Sequence, residues 1–281
     1  MPWETIELND GTKIPGIAFG TAGRAGHIVE SVSLALGAGF TSIDTAQNYG
    51  SEGAVGKAIK ESGLLRDHLY VETKRSGLKS ENASITDSLK QLGVDYVDLY
   101  LIHNPRWIPE GVDGIPTVWA RLEHFRKMGR TRSIGVSNFD IEHLEKLLQH
   151  SSVRPAVNQI EFHSCILAKQ EKLVQYCRDR DIVVQGYSPR LPLWWYGTES
   201  AIVQVVKLIA SEREVPEERV LVVWSRAKGV IPITTSTSRT DIASFVAAGD
   251  LELSREEIQA IDDAGYRAQD TSAAPNLEES S

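Results

Sequence analysis

The chain has 281 residues, 41% hydrophobic and 24% charged, a balance that excludes general disorder and suits two ordinary domains or one α/β barrel. Lys and Arg total 30 against 38 Asp and Glu, a formal charge of −8, which argues against a nucleic-acid partner because phosphate contacts need clustered basic side chains. No run of about 18 apolar residues is present to cross a membrane; residues 1–10 lack the basic and apolar parts of a secretory signal; Cys165 and Cys177 are too few for a disulfide framework or a zinc site, so a cytoplasmic location is expected.

Short β-rich runs at 14–20, 40–45, 69–74, 97–103, 132–137, 156–162, 182–188 and 230–234 alternate with segments of helical spacing. In the first such segment Ile28, Val32, Ala35 and Leu36 share one face. The fourth run opens into a long loop, 103–116, holding Pro105, Pro109 and Pro116. After the fifth run, Asn138 or Asp140 can cap a helix on which Leu144, Leu147 and Leu148 fall together. Cys177 sits in the helix after the sixth run, where a buried thiol acts as a small apolar group. A second long loop, 189–198, carries Trp194, Trp195 and Tyr196. Beyond the eighth run, residues 254–264 read as an extra amphipathic helix with Ser254 and Glu257 as a capping box. Residues 268–281 are small, polar and acidic, and a disordered tail is expected there.

Eight strands too apolar for a half-exposed sheet predict parallel pairing with both faces covered. A doubly wound dinucleotide fold would place Gly-x-Gly-x-x-Gly after its first strand, but Gly20, Gly23 and Gly26 are spaced three apart. The expectation is therefore one (β/α)₈ TIM barrel over residues 1–267, with an extra C-terminal helix and long loops at its C-terminal face.

Reacting groups in such a barrel gather at the C-terminal ends of the strands. Asp44, Lys74 and His103 end the second, third and fourth runs, and Tyr49 follows the second. Taken singly, each reads as a rim charge, a packing ring or a core histidine. Taken together they suggest protonation of a carbonyl. A Lys74 cation beside Tyr49 would lower the phenol pKa, Asp44 would hold that cation, and His103 would donate to the carbonyl oxygen. A hydride source is missing from this set, so a cofactor is implied.

The segment 39–52, Gly-Phe-Thr-Ser-Ile-Asp-Thr-Ala-Gln-Asn-Tyr-Gly-Ser-Glu, resembles the first signature of the aldo-keto reductase superfamily. Glu72-Thr73-Lys74, Leu101-Ile102-His103-Asn104-Pro105, Ile134-Gly135-Val136-Ser137-Asn138-Phe139, Val157-Asn158-Gln159 and Gly186-Tyr187-Ser188-Pro189 follow in order. The resemblance spans about Thr5 to Gly265. It implies a catalytic tetrad of Asp44, Tyr49, Lys74 and His103, with hydride passing from nicotinamide C4 while Tyr49 protonates the oxygen. It also implies that Ser137, Asn138 and Gln159 bond the nicotinamide carboxamide and that Tyr187 stacks on the ring. Thr21, Ser188, Arg190 and Leu191, and Asp44 again, join the cofactor set.

The chain departs from the family in places. The usual Pro-Lys-Ser after the eighth strand, which meets the 2′-phosphate, is Pro232-Ile233-Thr234 here. Thr234, Thr235 and Ser236 could bond phosphate oxygens instead, with Arg239 supplying charge. Counting back from the following helix would put Asp241 in that place and favour NADH; the expectation is NADPH, with NADH as the alternative. In the pocket, Ala22 and Asn104 stand where many members carry Trp, and Trp107, Trp194 and Trp195 on the long loops could rebuild an apolar site. These features resemble a fungal branch that reduces conjugated polyketones and α-keto amides or esters. The expected function is thus NADPH-dependent reduction of an aldehyde or activated ketone, with no metal, nucleic acid, membrane or obligate protein partner. A secondary-alcohol dehydrogenase and a low-turnover, NADPH-binding redox-sensor subunit are the competing readings.

Overall fold

The computed structural model describes residues 3–23, 26–109 and 111–269. Thr5–Glu7 (β1) and Lys13–Pro15 (β2) form an antiparallel hairpin. Eight parallel strands then close a barrel: Ala18–Gly20 (β3), Ser42–Asp44 (β4), Tyr70–Arg75 (β5), Val97–Ile102 (β6), Thr131–Ser137 (β7), Val157–Glu161 (β8), Val183–Tyr187 (β9) and Val230–Thr234 (β10). β10 pairs with β3 to complete the ring.

The surrounding helices are Ile28–Ala38 (α1), Glu52–Ser62 (α2), Glu81–Leu92 (α3), Ile115–Lys127 (α4), Ile141–Leu148 (α5), Leu167–Arg178 (α6), Pro192–Trp195 (α7), Ala201–Glu212 (α8), Glu217–Ala227 (α9), Arg239–Ala247 (α10) and Arg255–Gln269 (α11). Their apolar stripes face the strands. On α1 Ile28, Val32, Ala35 and Leu36 are all buried, and the helix stops at Gly39, whose left-handed φ of 105° lets its N–H reach the carbonyls of Ala35 and Leu36. Asp140 caps α5 by accepting from the His143 N–H, and Leu144 and Leu147 are the buried pair on that helix. Trp224 of α9 stacks on Phe162 at 5.3 Å, and its indole N–H donates to Asp262 of α11 at 2.8 Å. Burying a large apolar side chain of this kind contributes roughly 1.5–3 kcal/mol.

Four details differ from the sequence expectation. The run 14–20 is two strands: residues up to Pro15 belong to the hairpin, whose pairing continues with the Gly16 N–H donating to the Glu4 carbonyl at 2.9 Å, and the barrel strand starts at Ala18. Leu8 and Ile14 of that hairpin region pack with Tyr70, Leu99, Leu101 and Ile231, closing the barrel on its N-terminal side. The loops 103–116 and 189–198 are partly helical: 3₁₀ turns form at Pro105–Trp107 and Gly111–Gly114, α4 already includes Pro116, and α7 lies in the second loop. The extra helix α11 is capped by Ser254 and Glu257 as expected but continues to Gln269; the tail expected beyond it lies outside the described residues.

Candidate active site

Register fixes which side chains meet. Parallel pairing sets Gly20 beside Asp44, Asp44 beside Glu72, Lys74 beside Leu101, Ser137 beside Gln159, and Gln159 beside Gln185. The C-terminal strand ends therefore form one ring of polar residues around a cavity of about 280 Å³. Its walls include Asp44, Tyr49, His103, Ser137, Asn138 and Gln159. Tyr187, Ser188, Arg190, Trp194, Thr234 and Thr235 line it too, with Gly20 and Ala22. At Gly20 an added Cβ would meet Ile233 Cγ2 at 2.8 Å, so the backbone at the cavity edge stays bare.

Lys74 is fully buried beneath this cavity. Its ammonium forms an ion pair with Asp44 Oδ1, donates to the Thr45 carbonyl at 3.1 Å and reaches Tyr49 Oη at 3.4 Å. Burial alone would lower the lysine pKa, but the Asp44 carboxylate, then Tyr49 and Glu72, outweigh it and hold the pKa above the ordinary value. Lys74 is thus a cation at neutral pH. Tyr49 departs from the sequence expectation: its pKa is raised, because burial outweighs the lowering by Lys74, and Asp44 adds to the rise. The phenol is a firmly protonated donor, turned edge-on to the His103 ring at 5.4 Å.

His103 is neutral. Burial, helped by Lys74, pushes its pKa down to about 3, and its Nδ1 has no hydrogen-bond partner. Trp107 lies behind it, edge-on at 4.9 Å.

The opposite wall is a chain of amides and hydroxyls. Asn138, held at a left-handed φ of 61° that asparagine tolerates, donates to the His103 carbonyl at 3.0 Å and accepts from Tyr187 Oη at 2.9 Å. Ser137 Oγ donates to the Gln159 carbonyl at 2.9 Å, so neither residue caps α5. Gln159 Nε2 donates to Asp44 Oδ1 at 3.0 Å and to Gln185 Oε1 at 3.2 Å, which leaves its own Oε1 as the acceptor toward the cavity. Ser188 also has a left-handed φ, 60°, a strained backbone at the cavity rim. A flat ring with a carboxamide fits here: Tyr187 offers a face, and Gln159 offers an acceptor beside Tyr49.

Several expected site residues stand elsewhere. Thr21 is buried and bonded to the Asp44 carbonyl and Thr45 Oγ1, behind the wall rather than on it. Asn104 caps the turn at Pro105–Trp107. Trp107 supports His103, and Trp195, Leu191, Ser236 and Arg239 are not among the lining residues. Arg190 lies over the Trp194 and Phe245 rings, at 4.6 and 4.7 Å, and donates to the Thr235 carbonyl at 2.5 Å. In the Ser/Thr run, Ser236 Oγ donates to the Asp241 carboxylate at 2.8 Å, while Arg239 is exposed at the start of α10.

Sequence reasoning passed over Glu72 and Gln185. Both are fully buried inside the barrel, and Gln185 Nε2 donates to Glu72 Oε1 and Oε2 at 3.0 Å each. The signal was available: each stands two residues before a site residue, Lys74 or Tyr187, and so shares its face on a period-two strand.

Residues 17–191 match the model of the aldo/keto reductase family. An NAD/NADP-dependent indole-3-acetaldehyde reductase of Schizosaccharomyces pombe is 38% identical over 81% of this chain and 83% of its own. A glyoxal reductase of Bacillus subtilis is 35% identical over 92% of each chain. An NADPH-dependent alpha-keto amide reductase of Saccharomyces cerevisiae is 32% identical over 92% of this chain and 89% of its own. Among solved structures, a Bombyx mori aldo-keto reductase in complex with NADP superposes with a TM-score of 0.85 at 32% identity, over 98% of this chain and 96% of that one.

Proposed function

Because the chain belongs to the aldo/keto reductase family and is an NAD(P)H-dependent oxidoreductase, we propose that it reduces an aldehyde or activated ketone, with Tyr49 as the proton donor. One observation carries this reading. A protonated phenol backed by a buried lysine cation faces a wall whose amide acceptor and aromatic face suit a nicotinamide. When bound, that cofactor supplies a hydride from its C4 to the carbonyl carbon. The residues of the chain do the rest.

Negative charge gathers on the carbonyl oxygen as hydride arrives, and Tyr49 Oη moves its proton there. The phenolate left behind is stabilised by Lys74 Nζ, which Asp44 keeps in place without becoming protonated itself. His103, neutral, donates a hydrogen bond to the same oxygen and helps aim it at Tyr49. Gln159, Ser137 and Asn138, which line the same wall of the cavity, would hold the carboxamide and so orient the ring toward the substrate. Trp194 and Ala22 at the mouth suit a carbonyl with an apolar flank, such as an α-keto ester or amide. Two free, buried thiols, Cys165 and Cys177, suit the cytosol.

The NADPH reading rests on Arg239 at the start of α10, close to the Ser/Thr run. NADH is the second reading, favoured by the Asp241 carboxylate bonded to Ser236. A carboxylate there would accept from a ribose hydroxyl and repel a 2′-phosphate. Fluorescence titration with NADPH and then NADH, followed by turnover of an α-keto ester, tests both. Binding of either with turnover supports the reductase, the tighter cofactor decides between Arg239 and Asp241, and binding without turnover points to the redox-sensor reading.

A further inference from the structure

The barrel interior below the cavity is bridged twice by polar side chains. In the ring order, β4 stands opposite β8 and β5 stands opposite β9. Asp44 of β4 meets Gln159 of β8, and Glu72 of β5 meets Gln185 of β9. The Gln159 to Gln185 bond, 3.2 Å, joins the two bridges into one ladder. Donation runs outward from the Gln159 amide nitrogen to an accepting carboxyl group at each end. Glu72 takes the Gln185 amide hydrogens, so Gln185 must turn its oxygen to Gln159. Gln159, donating to Gln185 and to Asp44, must turn its oxygen to the cavity. A barrel interior is ordinarily filled with branched apolar side chains. Four polar groups in that space, all buried, cost desolvation that only complete pairing offsets.

We infer that Glu72 and Gln185 are positioning residues: from below the site they clamp the Gln159 amide so that its oxygen meets the carboxamide of the bound nicotinamide cofactor. The inference rests on the functional reading above and extends it to two residues that touch neither cofactor nor substrate. The same ladder places a second carboxyl group near the proton donor. Glu72 faces Asp44 from β4, Lys74 on its own strand, Asp98 from β6, and Tyr49 and Tyr70 at the edges of the cluster. Burial, then the Asp44 charge, raises its pKa well above that of an ordinary glutamate. Once ionised in the alkaline range, Glu72 raises the Tyr49 pKa. Removing its charge therefore lets Tyr49 ionise at lower pH.

The test compares Glu72→Gln with the exchanged pair Glu72→Gln/Gln185→Glu, each checked for folding by circular dichroism. Cofactor affinity is read by fluorescence with NADPH and NADH, and pH–rate profiles with an α-keto ester. Glu72→Gln is expected to weaken cofactor binding about three- to tenfold, the scale of one orienting hydrogen bond. It should also move the alkaline limb of reduction to lower pH. The exchanged pair returns a carboxyl group to the ladder on the β9 side, where it can accept from Gln159, and is expected to bind cofactor within about twofold of the unaltered protein. A folded Glu72→Gln with unchanged affinity and an unchanged alkaline limb would overturn the inference and leave the ladder as core filling. If Glu72→Gln fails to fold, the exchanged pair decides alone: near-normal affinity supports the clamp, and affinity lost in a folded protein refutes it. Failure of the unaltered protein to bind either cofactor would instead overturn the functional reading.

Discussion

The floor of the cavity and its rim are built on opposite principles. On the floor, Asp44, Glu72, Lys74, Gln159 and Gln185 are each 3% exposed or less, and each has at least one directional partner. On the rim, Trp194 is 62% exposed, with Trp195 beside it in the loop 45% exposed, and Ser236 of the Ser/Thr run is tied to Asp241 and to the Ser238 N–H. In the dry interior a fixed charge is worth more and needs no rearrangement at the moment of reaction. At the rim, contacts are weaker and cheaper to change. On the proposed function, the buried floor together with Tyr49 would set hydride and proton transfer, and the rim loops would set substrate and cofactor preference.

Perturbing the floor should therefore cost far more than perturbing the rim. Tyr49→Phe is expected to lose on the order of 10²–10⁴ in turnover with cofactor binding retained, measured by steady-state kinetics and fluorescence titration. Lys74→Met should lose turnover as well, and about 3–5 kcal/mol of stability in urea unfolding, because it leaves the Asp44 carboxylate buried and unpaired. A loss under about 1 kcal/mol would mean that the floor admits water, and the contrast with the rim would fail.

Rim changes sharpen the comparison at lower amplitude. Asp241→Asn is expected to raise NADPH affinity relative to NADH by about three- to tenfold, the scale of one partly exposed charge. An unchanged ratio would remove Asp241 from cofactor choice. Trp194→Ala should raise KM for an α-keto ester about two- to fivefold and leave kcat unchanged, the signature of a contact made equally in ground and transition states.

The smallest expected effect is none, and it belongs to pH. A histidine whose folded pKa is lowered to about 3 adds stability above its ordinary value that is lost as pH falls toward 3. Between about pH 5 and 8, where histidine normally titrates, reduction should therefore show no limb from His103. An acid limb near pH 6.5 that disappears in His103→Gln would show that the floor does not exclude water from His103.

Much of this was legible in the sequence, and the reasons for the rest are physical. All eight barrel strands follow from short apolar runs bounded by polar turns, and Asp44, Tyr49, Lys74 and His103 converge because strand ends share one face of a closed barrel. The β1–β2 hairpin was missed because its strands are three residues each, too short for alternation to show; the Asp10-Gly11 turn, with Gly11 at φ 82°, was its one marker. Glu72 and Gln185 were passed over for a different reason. Gln185 looks like an isolated polar residue in an apolar strand, and Glu72 like part of the polar run with Thr73 and Lys74, until closure of the barrel sets β5 across from β9. The raised Tyr49 pKa could not be read from residue types, since it depends on how far burial outweighs the lysine beside it. The rim was least legible: Asn104 caps the turn at Pro105–Trp107, Trp107 packs edge-on against His103, and Trp195 is not among the residues lining the cavity.

The most direct test of the central claim follows one labelled hydride. The protein is mixed with a reduced nicotinamide cofactor carrying deuterium at both C4 positions and an α-keto ester, and the product alcohol is examined by mass spectrometry in parallel with Tyr49→Phe. The account predicts deuterium on the new carbinol carbon, formed at a rate that falls on the order of 10²–10⁴ in the variant. An alcohol without deuterium, or equal rates in both proteins, would contradict it.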